Sequence, residues 1–250
     1  MSVYGELCEP LQNHLDTQGW TPTPIQDVAI KPLLSGHDRL LVAPTGSGKT
    51  EAAILPILSK CYAEDWGPMS ILYVTPLRAL NRDIDRRLEG LTDIVELKIG
   101  LRHGDTPQSE RNKQSRKPPH LLVTTPETMQ IMLTGSRLRE HLKNVRAIIV
   151  DEVHNFVSRI ANKLKQPDSL SMKLYHYLMA ANNARLVFLT GTPIINYPNE
   201  LAILFNMLRG YIKTYSFQLV FKKSMKKKKA VVEQIIHRLT ASDVVQYINR

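Results

Sequence analysis

Six short apolar runs punctuate the chain: RLLVA (39–43), ILYVT (71–75), VELKI (95–99), LLVTT (121–125), AIIVD (147–151) and LVFLT (186–190). Most of their positions are Leu, Ile or Val, with little polar alternation. That is the pattern of strands buried on both faces. Between them lie stretches of helical length such as KTEAAILPILSKCYAE (49–64) and SLSMKLYHYLMAAN (169–182). Strand alternating with helix predicts an α/β domain whose sheet is mostly parallel, with helices on both faces. Three strand ends run into a hydroxyl residue and proline: Thr75-Pro76, Thr125-Pro126 and Thr192-Pro193. Threonine as N-cap and proline at the first helical position mark helix starts. In a parallel sheet these starts share the carboxyl edge, where free helix N–H groups bind anions. One such junction is ordinary capping; three in register point to a surface built for phosphates.

Composition adds modest constraints. The 250 residues make one large domain or two small ones, and 43% hydrophobic with 22% charged residues is ordinary for a globular protein. No apolar run reaches the ~18 residues of a membrane span. The opening MSVYGELCEP lacks the basic and apolar segments of a secretory signal. Two distant cysteines, Cys8 and Cys61, suggest free thiols in a reducing compartment rather than a disulfide framework or zinc site. The expected setting is therefore intracellular, cytoplasmic or associated with nucleic acid, with nuclear and viral settings left open. Net charge is +10, but six lysines sit in KKSMKKKK (222–229), and without them the remainder carries +4. The run reads either as a solvated loop or as a sequence-independent contact to a polyanion.

APTGSGKT (43–50) follows the first strand and opens a helix. This is the P-loop pattern, with Ala43 where glycine is commoner. Gly46 and Gly48 let the loop of Pro44, Thr45 and Ser47 curl so that its N–H groups face phosphate oxygens. Lys49 would reach the β/γ-phosphates, and the Thr50 hydroxyl would coordinate Mg2+. A P-loop needs a strand-borne carboxylate for the same ion, and Asp151, at the end of AIIV, fits. Glu152 is then the candidate base that orients the attacking water. Without the P-loop, Asp151-Glu152 would read equally well as an acidic pair capping the next helix.

Together these residues resemble the first RecA-like lobe of superfamily 2 helicases. TPTPIQ (21–26) is similar to the Q-motif, which implies that Gln26 meets the adenine edge. APTGSGKT resembles motif I, and DEVH (151–154) motif II. TPLRAL (75–80) and TTPE (124–127) resemble motifs Ia and Ib, which implies nucleic-acid contacts at Pro76, Arg78, Thr125 and Pro126. TGT (190–192) sits where motif III couples ATP to strand binding, with Thr190, Thr192 and His154 as the coupling residues. Up to DEVH the text is similar to Lhr-like DNA helicases. Later, FLTGTPIINYPNELAILFNMLRGYI (188–212) is similar to Swi/Snf-type helicases of large DNA viruses, so NFVSRI (155–160) is where two lineages meet, by chimera or by divergence within one lineage.

The resemblance implies an ATP-binding lobe over residues 1–220 of a nucleic-acid-dependent ATPase, a DNA helicase or translocase, with ATP and Mg2+ as cofactors. DNA is expected ahead of RNA, together with a second RecA-like lobe in cis or trans. Nothing after residue 193 resembles motifs IV to VI or an arginine finger. Residues 221–250 are expected to form the basic run and a C-terminal helix, packed on the lobe or opening the missing one. The chain alone is then expected to turn ATP over very slowly. The rival reading is a nucleotide-controlled nucleic-acid-binding module without useful turnover.

Overall fold

A computed structural model describes residues 2–76, 82–134, 136–166, 168–181, 183–193 and 199–209. Arg78, the lysine run and the expected C-terminal helix lie outside the described residues. The chain opens with a single 3-10 turn, Val3–Glu6, and helices α1 (Glu9–Thr17) and α2 (Pro24–Leu34). Then follow β1 (Arg39–Val42), α3 (Lys49–Ala63), β2 (Ile71–Val74), α4 (Arg82–Ile94), β3 (Ile99–Arg102), α5 (Gln108–Arg116) and β4 (Leu121–Thr124). The order continues α6 (Pro126–Thr134), α7 (Ser136–Leu142), β5 (Ala147–Val150), α8 (Val153–Ala161), α9 (Leu170–Met179), β6 (Arg185–Thr190) and α10 (Asn199–Arg209).

The strands form one parallel sheet in the order β1-β6-β5-β2-β4-β3. Alternate strand residues feed two cores. Leu41, Ile71, Tyr73, Val123, Ile149 and Leu189 pack with α1 to α4 on one face. Leu72, Val74, Leu122, Ile148, Val150 and Phe188 pack with α6 to α10 on the other. This is why the strands read as continuous apolar runs: both sides of the pleat are covered.

Five of the six strand predictions fall on observed strands. VELKI (95–99) does not: the strand there starts at Ile99 and runs to Arg102. The physical reason is a turn behind α4. Glu96 sits at φ 55°, and the amides of Glu96 and Leu97 donate back to the carbonyls of Asp93 and Thr92. The apolar letters of 95–97 thus close a helix end rather than enter the sheet. Strand β6, the last in sequence, is inserted between β1 and β5, pairing Val42 with Thr190 and Val150 with Phe188. That is the place the family resemblance implies for the strand carrying TGT.

Phe188 is fully buried in that central strand. Phe188→Ala is expected to lower unfolding free energy by about 3–5 kcal/mol through lost burial and a residual cavity. Denaturant melts check this, and a loss below about 1 kcal/mol, a small effect by the same standard, would contradict a central β6.

Candidate nucleotide and phosphate site

All six strands point the same way, so the loops after β1, β2, β4, β5 and β6 gather at one edge. The loop after β1 turns through Gly46 at φ 80° and Gly48 at φ 85°, conformations that favour glycine. Gly48 then caps α3. The first-turn amides of α3 have no intrahelical acceptor and carry the positive end of the helix dipole. Lys49 is 8% exposed, and its Nζ donates to the carbonyls of Ala43 (2.5 Å) and Pro44 (2.7 Å). The ammonium is thus latched onto its own loop. The buried Ser47 Oγ has no hydrogen-bond partner among the described residues.

Gln26, on the first turn of α2, is buried against this loop. Its Oε1 accepts from the Tyr4 hydroxyl (2.7 Å) and the Thr23 amide (2.9 Å), and its Nε2 donates to the Gly48 carbonyl (3.3 Å). A Cβ at Gly48 would come within 2.6 Å of Gln26 Nε2, a second reason for glycine there. Gln26 therefore ties the N-terminal turn to the P-loop through both ends of its amide. Tyr4 was not legible as a partner. Burial, with Glu51 and Asp27 nearby, raises its phenol pKa, so it stays a donor.

Asp151 follows β5, and its amide donates to the Val74 carbonyl (2.8 Å). Its Oδ1 accepts the Glu152 amide (2.9 Å), and its Oδ2 accepts the Tyr73 hydroxyl (3.1 Å). The Thr50 side chain lies beside the same phenol and offsets part of the rise that burial gives its pKa. One buried hydroxyl therefore joins the two residues predicted to hold the metal. The sequence signal was a tyrosine in the otherwise aliphatic ILYV, since a buried tyrosine hydroxyl needs a partner. Glu51 was also missed; its buried carboxylate pairs with Arg87 of α4.

Burial first, and the Glu152 charge second, push the Asp151 carboxyl above its ordinary range; Tyr73, the Glu152 amide and Lys49 pull it back. Glu152 itself sits at φ 47°, a sparsely populated conformation for a side chain of its size. That backbone turns its carboxylate toward His154, with Oε2 3.3 Å from Nδ1. His154 Nδ1 lies 2.8 Å from Thr190 Oγ1, which also accepts the Thr192 amide (3.0 Å). A polar chain thus runs from the Asp-Glu pair to the end of β6.

The predicted nucleic-acid positions are less open. The Thr125 hydroxyl is buried and accepts the Thr128 amide (3.3 Å), capping α6 with Pro126 at its first position. Thr125 can therefore offer a phosphate its backbone but not its hydroxyl. Pro76 follows β2 and is half-buried. Thr75 donates its amide to the Thr124 carbonyl (3.0 Å), setting these two strand ends side by side.

Among the described residues, no group of three or more His, Cys, Asp or Glu could hold a metal. The hydroxyl of Thr50 and the carboxylate of Asp151 are hard oxygen donors. They suit Mg2+, which takes one or two protein ligands and completes its shell with substrate phosphate and water. By that donor chemistry, and with both beside the Tyr73 hydroxyl, the residues present fit that ion.

The family model described as DEAD/DEAH box helicase matches residues 23–201. The ATP-dependent helicase Lhr-Core of Sulfolobus acidocaldarius is 40% identical over 185 residues, covering 68% of this chain and 20% of its own length. The Lhr helicase/uracil glycosylase of Escherichia coli is 40% identical over 154 residues, covering 53% of this chain and 10% of its own. Among solved structures, Mycobacterium smegmatis helicase Lhr bound to ssDNA and AMP-PNP superposes with a TM-score of 0.66 at 33% identity, covering 81% of this chain and 27% of that one. The chain thus spans about a tenth to a quarter of the length of these relatives.

The raised Asp151 carboxyl has a consequence for stability. A carboxyl with a folded pKa above its unfolded value contributes most below the unfolded value, and that contribution is lost as pH rises through the folded one. Asp151→Asn should therefore melt higher than the parent at pH 7 without ligand, by about 2–4 °C per kcal/mol for a chain of this size. The gain should disappear as pH falls below the ordinary carboxylate range. A variant less stable at pH 7, or a gain independent of pH, would contradict the electrostatic account.

Proposed function

The chain belongs to the DEAD/DEAH box helicase family, and from that premise we propose that it is the ATP-binding first lobe of a nucleic-acid-dependent ATPase. The observation that supports this best is the meeting of P-loop, Asp-Glu pair and β6 end at one sheet edge, bridged by Tyr73 and His154. ATP is the nucleotide, and its phosphates lie in the P-loop against the first turn of α3. Lys49 exchanges the carbonyls of Ala43 and Pro44 for phosphate oxygens. The N–H groups of Gly46, Gly48, Lys49 and Thr50 and the Ser47 hydroxyl take the rest of the charge.

Thr50 and Asp151 would hold Mg2+, which would supply positive charge against the charge developing in phosphoryl transfer. Glu152 aims the attacking water and receives its proton on its carboxylate, which His154 orients from the side of Thr190. Catalysis here is positional and electrostatic, with no covalent enzyme intermediate. Gln26 senses nucleotide by its hold on Gly48, with the adenine edge close by. Pro76, Arg78, Pro126 and the Thr125 backbone meet the nucleic-acid backbone. DNA is the preferred strand, because the similarity at 33% identity is to a helicase whose structure is described with ssDNA. A second RecA-like lobe supplies the other wall of the cleft and the arginine that raises turnover.

Three measurements separate these roles. Lys49→Ala should lose nucleotide binding or turnover while melting like the parent; equal ATP affinity would remove the P-loop assignment. Glu152→Gln should keep Mg-ATP bound and abolish hydrolysis, whereas Asp151→Asn should weaken Mg2+-dependent binding; equal effects on affinity would erase that division. Tyr73→Phe should raise the Mg2+ concentration for half-maximal ATP binding about tenfold, the equivalent of one hydrogen bond to a charged group. Binding of ATP without Mg2+ should change little, and an unaltered Mg2+ requirement would leave Tyr73 a packing residue. The chain alone should hydrolyse ATP slowly. A matching second lobe should raise the rate by up to the about 10³- to 10⁵-fold that an arginine finger contributes.

A further inference from the structure

The opposite edge of the sheet carries a cavity of about 670 Å³ that the nucleotide chemistry does not use. Its walls come from the end of α3, the lead-ins to β2 and β5, and the first residue of β6. Lys60, Lys143, Arg146 and Arg185 line it, with Glu64 as the only acidic side chain among its lining residues. Four-residue parallel strands separate it from the P-loop edge by roughly 13 Å at ~3.3 Å per residue.

Glu64 is already spent. Its carboxylate takes Lys60 at 2.6 Å, Arg146 at 3.8 Å and the Trp66 indole N–H at 2.8 Å. Those bonds, Lys60 first, hold it below the ordinary carboxylate range, so it stays an acceptor for neighbours already in place. Arg146 lies over the Trp66 ring, 5.5 Å from its centroid. Lys143 pairs only with the exposed Glu140. Arg185 is left over. Its side chain has no acceptor among the described residues, and its Nε is buried without a partner. It packs on Gly36, where a Cβ would come within 2.3 Å of its guanidinium, so glycine there makes room for it. A partly desolvated guanidinium without an acceptor is costly, and three further cations share its cavity.

We propose that this cavity is a second phosphate-binding site, distinct from the P-loop, in which Arg185, Lys143 and Arg146 receive a phosphate or phosphodiester group. Arginine supplies paired N–H donors that match phosphate oxygens. Glu64 keeps Lys60 and Arg146 aimed and lowers the net charge enough for them to coexist. Trp66, 4% exposed, is covered by Arg146, so it reports on the site without stacking on a base.

The test uses that indole. Trp66 and Trp20 are the two tryptophans of the chain, and Trp20→Phe leaves Trp66 as the single emitter. Titration with inorganic pyrophosphate and with a short single-stranded oligothymidylate should each be followed by Trp66 emission. A saturable change that survives Lys49→Ala and weakens at least tenfold in Arg185→Gln/Lys143→Gln is expected, with nucleotide affinity and melting unchanged in the double variant. Saturation by the oligothymidylate at lower phosphate concentration, with a log affinity–log salt slope shallower by about 0.7 per cation removed, identifies a nucleic-acid backbone as the source. Response to pyrophosphate alone identifies a free phosphate compound. No saturable change, a change abolished by Lys49→Ala, or equal affinity in the double variant would overturn the proposal.

Discussion

The polar contacts that join the P-loop and the DEVH stretch to Thr190 lean on the seat of β6 between β1 and β5. The Ala43 amide, which begins the P-loop, donates to the Thr190 carbonyl at 3.2 Å. Thr190 in turn holds His154, two residues beyond Glu152, by its hydroxyl. Move β6 by one residue and the pleat turns its side chains to the wrong face. Val187 and Leu189 would leave one core, Phe188 the other, and Thr190 would no longer meet His154. The register is therefore specified by two hydrophobic cores at once. The polar chain inherits a precision that its own hydrogen bonds could not supply. Residues after the β5–β6 connection have text of a different resemblance from those before it. The strand nonetheless meets the same demand on volume and alternation as its neighbours.

The cost of the site is electrostatic. Asp151 is kept in a buried place that favours its neutral form, beside the like charge of Glu152. Glu152 is kept in a left-handed backbone conformation. Lys49 faces carbonyls of its own loop rather than a carboxylate. The first two arrangements are unfavourable in isolation. Strain and desolvation held this way are sustained by packing elsewhere. Tyr73 illustrates how: its ring is fully buried in the α1 to α4 core, and its hydroxyl carries that rigidity to Asp151 and Thr50.

Much of this was legible in the sequence because it is local. AIIVD announces a buried strand and a carboxylate at its end; APTGSGKT announces the loop and its lysine. The pairing of His154 with TGT came from the family resemblance and is met by a 2.8 Å contact. What failed depended on context. VELKI reads as a strand until Glu96 is seen closing a helix end, a backbone choice its letters do not reveal. Thr125, by contrast, reads as the N-cap of a helix that Pro126 opens, and its hydroxyl does accept the Thr128 amide at the start of α6. Tyr73 and Tyr4 could be flagged only as buried hydroxyls in need of partners. Their partners lie 78 and 22 residues away, and spacing alone cannot find them.

The two sheet edges solve one problem, holding an anion, in different ways. At the carboxyl edge the charge is met by peptide N–H groups, a helix dipole and a single lysine. These donors are weak one by one, but they are fixed in place by Gly46 and Gly48. At the amino edge no helix starts converge, because a parallel sheet sends them all to the other side. Any anion held there has to be met by side chains, and long ones. That is what α3, β5 and β6 bring to the cavity there: Lys60 and Arg146 round the Glu64 carboxylate, with Arg185 beside them. Backbone donors cannot adjust, so they suit a ligand whose geometry must be controlled during bond breaking. Guanidinium and ammonium groups on flexible stems can adjust, so they suit a phosphate that is held or passed along rather than transformed. The topology that builds a reactive site at one edge thus leaves the other edge suited only to grip.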